Sequence, residues 1–305
     1  MISSLTMVVF DMEALILLEI LLAIIPVGFI AALMGIGGGV LIIPILTAFF
    51  HIGIKEAIAV SIVTVVATSI TGGSRYLKQG IANVRLGVFL ELSTALGAIV
   101  GAFATILAPP YVLYLILSVL LFYLSFVQIT TSKVEAEKIK HKGFARVEED
   151  GVARALQLSG KYYDTAEGKD VVYRVTGTFK GLVASLVAGI CSGMLGIGGG
   201  VLKVPVMNQL MNIPMKVAIA TSKFMISITA STGAIIYILL GFVNFELMAP
   251  TALGVIIGAL LGTMVMNRVK AEKLKILFGL LLIYFAYLML AKGLYAILGV
   301  RLPGV

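Results

Sequence analysis

Two lysines, Lys203 and Lys223, stand inside long apolar runs of this 305-residue chain. An ammonium group in such a setting is costly unless it faces a cavity or a partner, and what it holds well is an anion. The competing roles are snorkelling to an interface, or pairing with Glu91 or Glu56. Glu91 also lies within an apolar run, where a carboxylate is a candidate proton carrier or a residue near a helix end. Ser61, Thr64, Thr68 and Thr71 are spaced 3, 4 and 3 apart and so share one helix face. Ser222, Thr229 and Thr232 repeat the arrangement further on. Such hydroxyls ordinarily bond their own backbone, and their recurrence favours a polar pathway. His51 reads as an interfacial turn residue. The single cysteine, Cys191, has no disulfide partner and reads as a small residue in a packed helix.

Two Gly-Ile-Gly-Gly-Gly runs, 35–39 and 196–200, interrupt apolar sequence. Each glycine costs a helix up to about 1 kcal/mol relative to alanine, so three in a row break it. Broken backbone inside a bilayer is tolerated where protein buries it or where it lines a cavity. A break followed by a helix start presents free N–H groups and a positive dipole end. Gly37, Gly38 and Gly39 facing Gly198, Gly199 and Gly200 would form an anion cradle, tight helix packing being the alternative. These are not nucleotide loops: the final glycine of a dinucleotide fingerprint is missing, and no Gly-Lys pair precedes Ser or Thr. No catalytic constellation, metal cluster or cofactor motif is legible, and no enzyme activity is expected.

The elements that must position these residues are membrane helices. With 60% hydrophobic and 12% charged residues, the composition departs from soluble domains, which run near half apolar and a quarter charged. Runs such as 86–107 and 276–298 exceed the roughly 18 residues of a spanning helix. The net charge of +8 does not make a nucleic-acid binder in this context, and the N-terminus lacks the basic start of a cleavable signal.

The chain is duplicated. Residues 28–101 and 189–262 align without a gap at an offset of 161, with 26 identities in 74 positions that include Gly, Pro, Asn and Lys. The expected organisation is a first transmembrane repeat over 12–131, a polar insert over 132–176 and a second repeat over 177–298. Each repeat has about five segments with a break at the glycine run. The insert reads as a charged helix (133–142) followed by a β-ribbon from 155–163 and 171–176.

Residues 133–174 hold nine basic and eight acidic residues, so the basic excess belongs to the membrane halves. Loop 75–85 carries Arg75, Lys78 and Arg85, while its counterpart 236–246 carries only Glu246. Loop 268–275 carries Arg268, Lys270, Lys273 and Lys275, while its counterpart 107–114 has no basic residue. Under the positive-inside rule, equivalent loops then lie on opposite sides, which makes the repeats inverted with an odd number of passes each. The insert is expected in the cytoplasm and both termini outside, in a multi-pass protein of the cell membrane.

The paired Gly-Ile-Gly-Gly-Gly-Val-Leu-x-x-Pro segments around an insert resemble the TauE/SafE family of sulfite exporter-like permeases. The resemblance covers 12–131 and 177–298, and its motif falls on Gly35, Gly37, Gly38, Gly39 and Pro44, and on Gly196, Gly198, Gly199, Gly200 and Pro205. It implies a secondary carrier of small sulfur-containing anions such as sulfite, thiosulfate or sulfonates. The lone cysteine argues against persulfide transfer between paired thiols. The expected protein is an all-α, inverted-repeat transporter working by alternating access. Its substrate-binding residues are Gly37, Gly38, Gly39, Gly198, Gly199, Gly200, Lys203, Lys223, Ser61, Ser222, Thr68 and Thr229, with Glu91 for proton coupling. Its partners are a small anion and the lipid bilayer, with no nucleic acid. A passive anion channel on the same cradle, and a membrane sensor or assembly protein using the insert, are the alternatives.

Overall fold

The computed structural model describes residues 2–34, 37–130, 144, 147–164, 168–265, 271–299 and 302–303. The first repeat is α1 (Ile2–Met34), α2 (Gly39–Ala48), α3 (Ile54–Lys78), α4 (Val84–Leu107) and α5 (Pro110–Thr130). The second is α7 (Thr178–Leu195), α8 (Gly200–Pro205) running on as a π-helical turn (Val206–Leu210), α9 (Met215–Leu239), α10 (Phe245–Val265) and α11 (Ala271–Leu298). Between them lie α6 (Gly151–Ala155) and the antiparallel pair β1 (Gly160–Asp164) and β2 (Lys169–Tyr173), which supply the expected ribbon. The expected charged helix at 133–142 lies outside the described residues. Among the described residues, seven helices are long and apolar enough to cross a membrane, and the protein is an all-α polytopic membrane protein. The 161-residue offset carries α3 onto α9 from first residue to last.

The main contacts run between repeats. Helix α3 packs on its own counterpart α9, α5 on its counterpart α11, α1 on α10, and α4 on α7. Two of these pairings have a local cause in sequence. Along α4 and α7, glycines let the backbones meet: a Cβ on Gly97 would lie 2.3 Å from the Leu186 carbonyl oxygen, and one on Gly193 2.1 Å from that of Ala98. The equivalent α1–α10 contact is made by Gly28 and Gly258, whose Cβ atoms would lie 2.3 Å from the Val255 oxygen and 2.0 Å from the Ile25 oxygen. Small residues permit such approach where apolar lipid supplies no hydrophobic drive between helices.

The two members of the α3–α9 pair run antiparallel. Just beyond the end of α3, the Asn83 N–H donates to Thr221 Oγ1 near the start of α9 at 2.9 Å. Beyond the end of α9, Asn244 Nδ2 donates to Glu56 Oε1 near the start of α3 at 2.9 Å. Equivalent helices therefore point in opposite directions, as the loop charges predicted. In the second repeat α7 starts on the insert side, and α8 with its π turn returns there: the Thr176 N–H donates to the Met211 carbonyl at 3.3 Å. This return pass is the broken one, unwound through the glycines and then helical. At 10 residues, α2 spans about 15 Å, half of a hydrocarbon core.

The insert is bolted to both halves. Phe144, Leu158, Tyr162 and Tyr173 share one apolar core with Leu86, Leu90, Met207, Met211 and Met225. Asn83 caps α4, accepting from the Leu86 N–H at 3.0 Å, while its amide donates to the Leu158 carbonyl at 2.6 Å and to the Tyr173 hydroxyl at 2.9 Å. Lys216 donates to the buried Asp164 at 2.6 Å. Its repeat counterpart Lys55 instead donates to the Ile106 carbonyl at the end of α4 at 2.7 Å. The two equivalent lysines and the two equivalent asparagines thus bind the insert on one face and helix ends on the other.

Candidate functional site

The two breaks meet in the interior. Gly37, Gly38, Gly198 and Gly199 all have positive φ, between 70° and 91°, where a side chain is strained. The chain there reverses and starts α2 and α8, with the Gly38 and Gly199 carbonyls accepting the Leu41 and Ile42 and the Leu202 and Lys203 N–H groups of the first turns. Gly39 abuts the other break: its Cβ would lie 2.7 Å from the Gly196 carbonyl oxygen and 3.0 Å from Ile197 Cα. Gly200 abuts α9, where Ile226 Cδ1 and Ser222 Oγ would lie 2.2 and 3.0 Å from a Cβ. Gly35 lies outside the described residues.

The hydroxyls on α3 and α9 serve the breaks themselves. Ser61 Oγ sits 3.0 Å from the Gly196 carbonyl oxygen and 3.4 Å from that of Gly39, so one proton serves both breaks. Thr68 lies 3.1 Å from the Gly37 carbonyl, and Ser222 3.3 Å from that of Gly200. Gly37 and Gly196 lie where the chain is unwound, and these hydroxyls supply their carbonyls with hydrogen bonds.

Thr229 belongs elsewhere. Lys203 on α8 is 1% exposed and Glu91 on α4 is 4% exposed, and Lys203 Nζ lies 3.4 Å from Glu91 Oε2. The Thr229 hydroxyl, on α9, accepts from Lys203 Nζ at 2.5 Å and donates to Glu91 Oε1. The Thr94 hydroxyl, one turn beyond Glu91, reaches Glu91 Oε2 at 3.0 Å. Three helices from both repeats thus close a charge pair off from solvent. Burying two charges is repaid only when their remaining hydrogen-bonding capacity is filled, and the threonines fill it on the carboxylate. Of the roles weighed for Lys203, pairing with Glu91 is the one found here. Glu56 bonds Asn244 instead. Lys223 is half-buried and stands about 100° round α9 from Ser222, off the face that carries Ser222 and Thr229.

Sequence reasoning missed Thr94 and Ser192. Ser192, near the end of α7, is fully buried, and a Cβ on Gly199 would meet its Oγ at 3.1 Å and Lys203 Cε at 3.3 Å. The signal that finds them is a comparison of the halves. At the 161-residue offset, Ser192, Lys203, Glu91 and Thr94 stand opposite Ala31, Ile42, Ala252 and Val255. Four polar residues replace four apolar ones at a single place.

A family model described as sulfite exporter TauE/SafE matches residues 20–289. Among curated proteins, the chain is similar to the probable membrane transporter protein YunE of Bacillus subtilis, 24% identical over 276 residues, which is 88% of this chain and 95% of that one. It is also similar to the probable membrane transporter protein YdhB of the same organism, 24% identical over 256 residues, covering 84% and 93%. The sulfite exporter TauE/SafE family protein 1 of Arabidopsis thaliana is 39% identical over 90 residues, 30% of this chain and 20% of that protein. No solved structure matches. The helical membrane architecture, the paired glycine breaks and the family match agree: this chain belongs to the sulfite exporter TauE/SafE family of membrane transporters.

Proposed function

We propose that this protein is a secondary transporter of small organosulfur or sulfur-oxyanion substrates, such as sulfite, thiosulfate or sulfonates, working by alternating access. The observation that carries this reading is Lys203, an ammonium group closed inside the membrane part with one carboxylate, Glu91, as its counter-ion. A substrate anion takes the place of that carboxylate. Protonation of Glu91 releases Lys203 for the anion, and its deprotonation ejects the anion again. The charged and hydroxyl groups facing Glu91 are Lys203 from α8, Thr229 from α9 and Thr94 from its own helix. Because the repeats are inverted, rocking one set of helices against the other exchanges which face reaches this pair. The excess of Lys and Arg in loops 75–85 and 268–275 supports a cytoplasmic insert and outside termini, in the cell membrane.

The test is uptake and counterflow of sulfite, thiosulfate, sulfoacetate, acetate and phosphate in proteoliposomes, at several values of internal and external pH. Saturable counterflow of a sulfur anion, driven by a pH difference in the wild type and insensitive to it in Glu91→Gln, is the expected result. Movement of carboxylates with no sulfur anion moved, or a non-saturating conductance, would sink the reading.

A further inference from the structure

Resting on the transport reading, we propose that the anion binds at the second glycine break alone, and that Ser192 supplies the hydroxyl that holds it beside Lys203. Ser192 Oγ is fully buried and has no hydrogen-bond partner among the described residues. Buried polar groups are almost always satisfied, so an exception asks for an explanation. Serine and threonine in these helices ordinarily reach the carbonyl four residues back, as Thr47, Thr64 and Thr251 do. Ser192 does not, and its oxygen lies against Gly199 at the spot that Lys203 Cε also borders, with the Lys203 side chain running on to the Glu91 carboxylate. A compact oxyanion displacing that carboxylate meets a cationic donor and a neutral donor converging from α8 and α7.

The first break provides the comparison. The same test point at Gly38 is bordered by Ala31 Cβ at 3.5 Å, Ile42 Cδ1 at 3.8 Å and Val255 Cγ1 at 3.9 Å. The backbone reverses there in the same left-handed way, yet the three atoms nearest that point all belong to apolar side chains. Inverted symmetry supplies two equivalent places, and the side chains make one of them an anion site and the other a packed apolar joint.

The proposal separates affinity from stability. A structural serine loses stability when truncated, whereas an unpartnered one costs the empty protein free energy that alanine gives back. Ser185, also buried and unpartnered and seven residues earlier on the same face of α7, is the control. Wild type, Ser192→Ala and Ser185→Ala are to be compared by thermal melting without anion, and by KM and kcat for sulfite, thiosulfate and sulfoacetate in proteoliposomes. Both variants should melt at or above the wild-type temperature. Ser192→Ala should raise KM about tenfold for whichever of these anions the wild type moves, with Ser185→Ala unchanged. Wild-type KM in Ser192→Ala, or a lowered melting temperature there, overturns the assignment while leaving transport intact. If the wild type moves none of the three, the transport reading fails and takes the assignment with it.

Discussion

Gly39 and Gly196 touch across the interior, so that a Cβ on Gly39 would lie 2.7 Å from the Gly196 carbonyl oxygen, and Ser61 reaches the carbonyls of both. The two breaks are in this way one joint, with backbone meeting backbone where a methyl group has no room. Gly39→Ala should therefore force the joint apart and cost about 1–3 kcal/mol, read as a fall in melting temperature. Gly53→Ala, which meets nothing within 4 Å, should melt as the wild type does. Equal melting of the two variants would show that the joint yields without strain.

Removing one member of the Lys203–Glu91 pair leaves the other charge buried alone. Lys203→Met is expected to destabilise by roughly 3–5 kcal/mol and to abolish anion movement. In Lys203→Met with Glu91→Gln, most of the stability should return and transport should not. Additive losses in a double-mutant cycle would show that the two groups do not act as a pair.

Gly80 and Gly241 are equivalent positions in exposed loops, each with open space where a side chain would go. Cysteines placed there singly, on a Cys191→Ala background, should be labelled by an impermeant maleimide from opposite faces of the membrane. Labelling of both from the same face would contradict the antiparallel pairing of α3 with α9.

Asp150 joins the insert to the second repeat. It caps α6 by accepting from the Ala153 N–H at 2.7 Å, and it holds the start of α7 through the N–H and hydroxyl of Thr178 at 2.8 and 2.9 Å. Burial alone would raise its pKa, but these hydrogen bonds, with a further one from the Val152 N–H, outweigh it and hold the carboxyl below its ordinary value of 3.8. The stability it lends is complete above the ordinary carboxylate range and is lost as pH falls through the lower folded-state value. Amide exchange at Ala153 and Thr178, corrected for intrinsic rate, should stay slow until the pH drops below about 4. In Asp150→Asn it should be fast at neutral pH. Wild-type protection in that variant would show that the carboxylate does not hold the junction.

Much of the fold is local information repeated twice. The apolar runs, the glycine breaks and the switch of basic residues from loop 75–85 to loop 268–275 are properties of short stretches, and from them alone the inverted repeat can be read. The sequence also carries the resemblance to TauE/SafE permeases, because the glycine motif occurs in both halves. Which hydroxyl serves which purpose is a different kind of fact. Ser61, Thr68 and Thr229 look alike on a helix wheel, yet the first two bond unwound glycine carbonyls while Thr229 bridges Lys203 and Glu91. That division depends on α8 and α4 arriving from different repeats, and no spacing along one helix records it. Lys203 and Glu91 are 112 residues apart, and the packing of both α4 and α8 on α9 brings them together. The basic excess of the membrane halves is evidence of topology; one buried ammonium among those charges is evidence of chemistry because tertiary structure gives it a carboxylate and an unpartnered serine as neighbours.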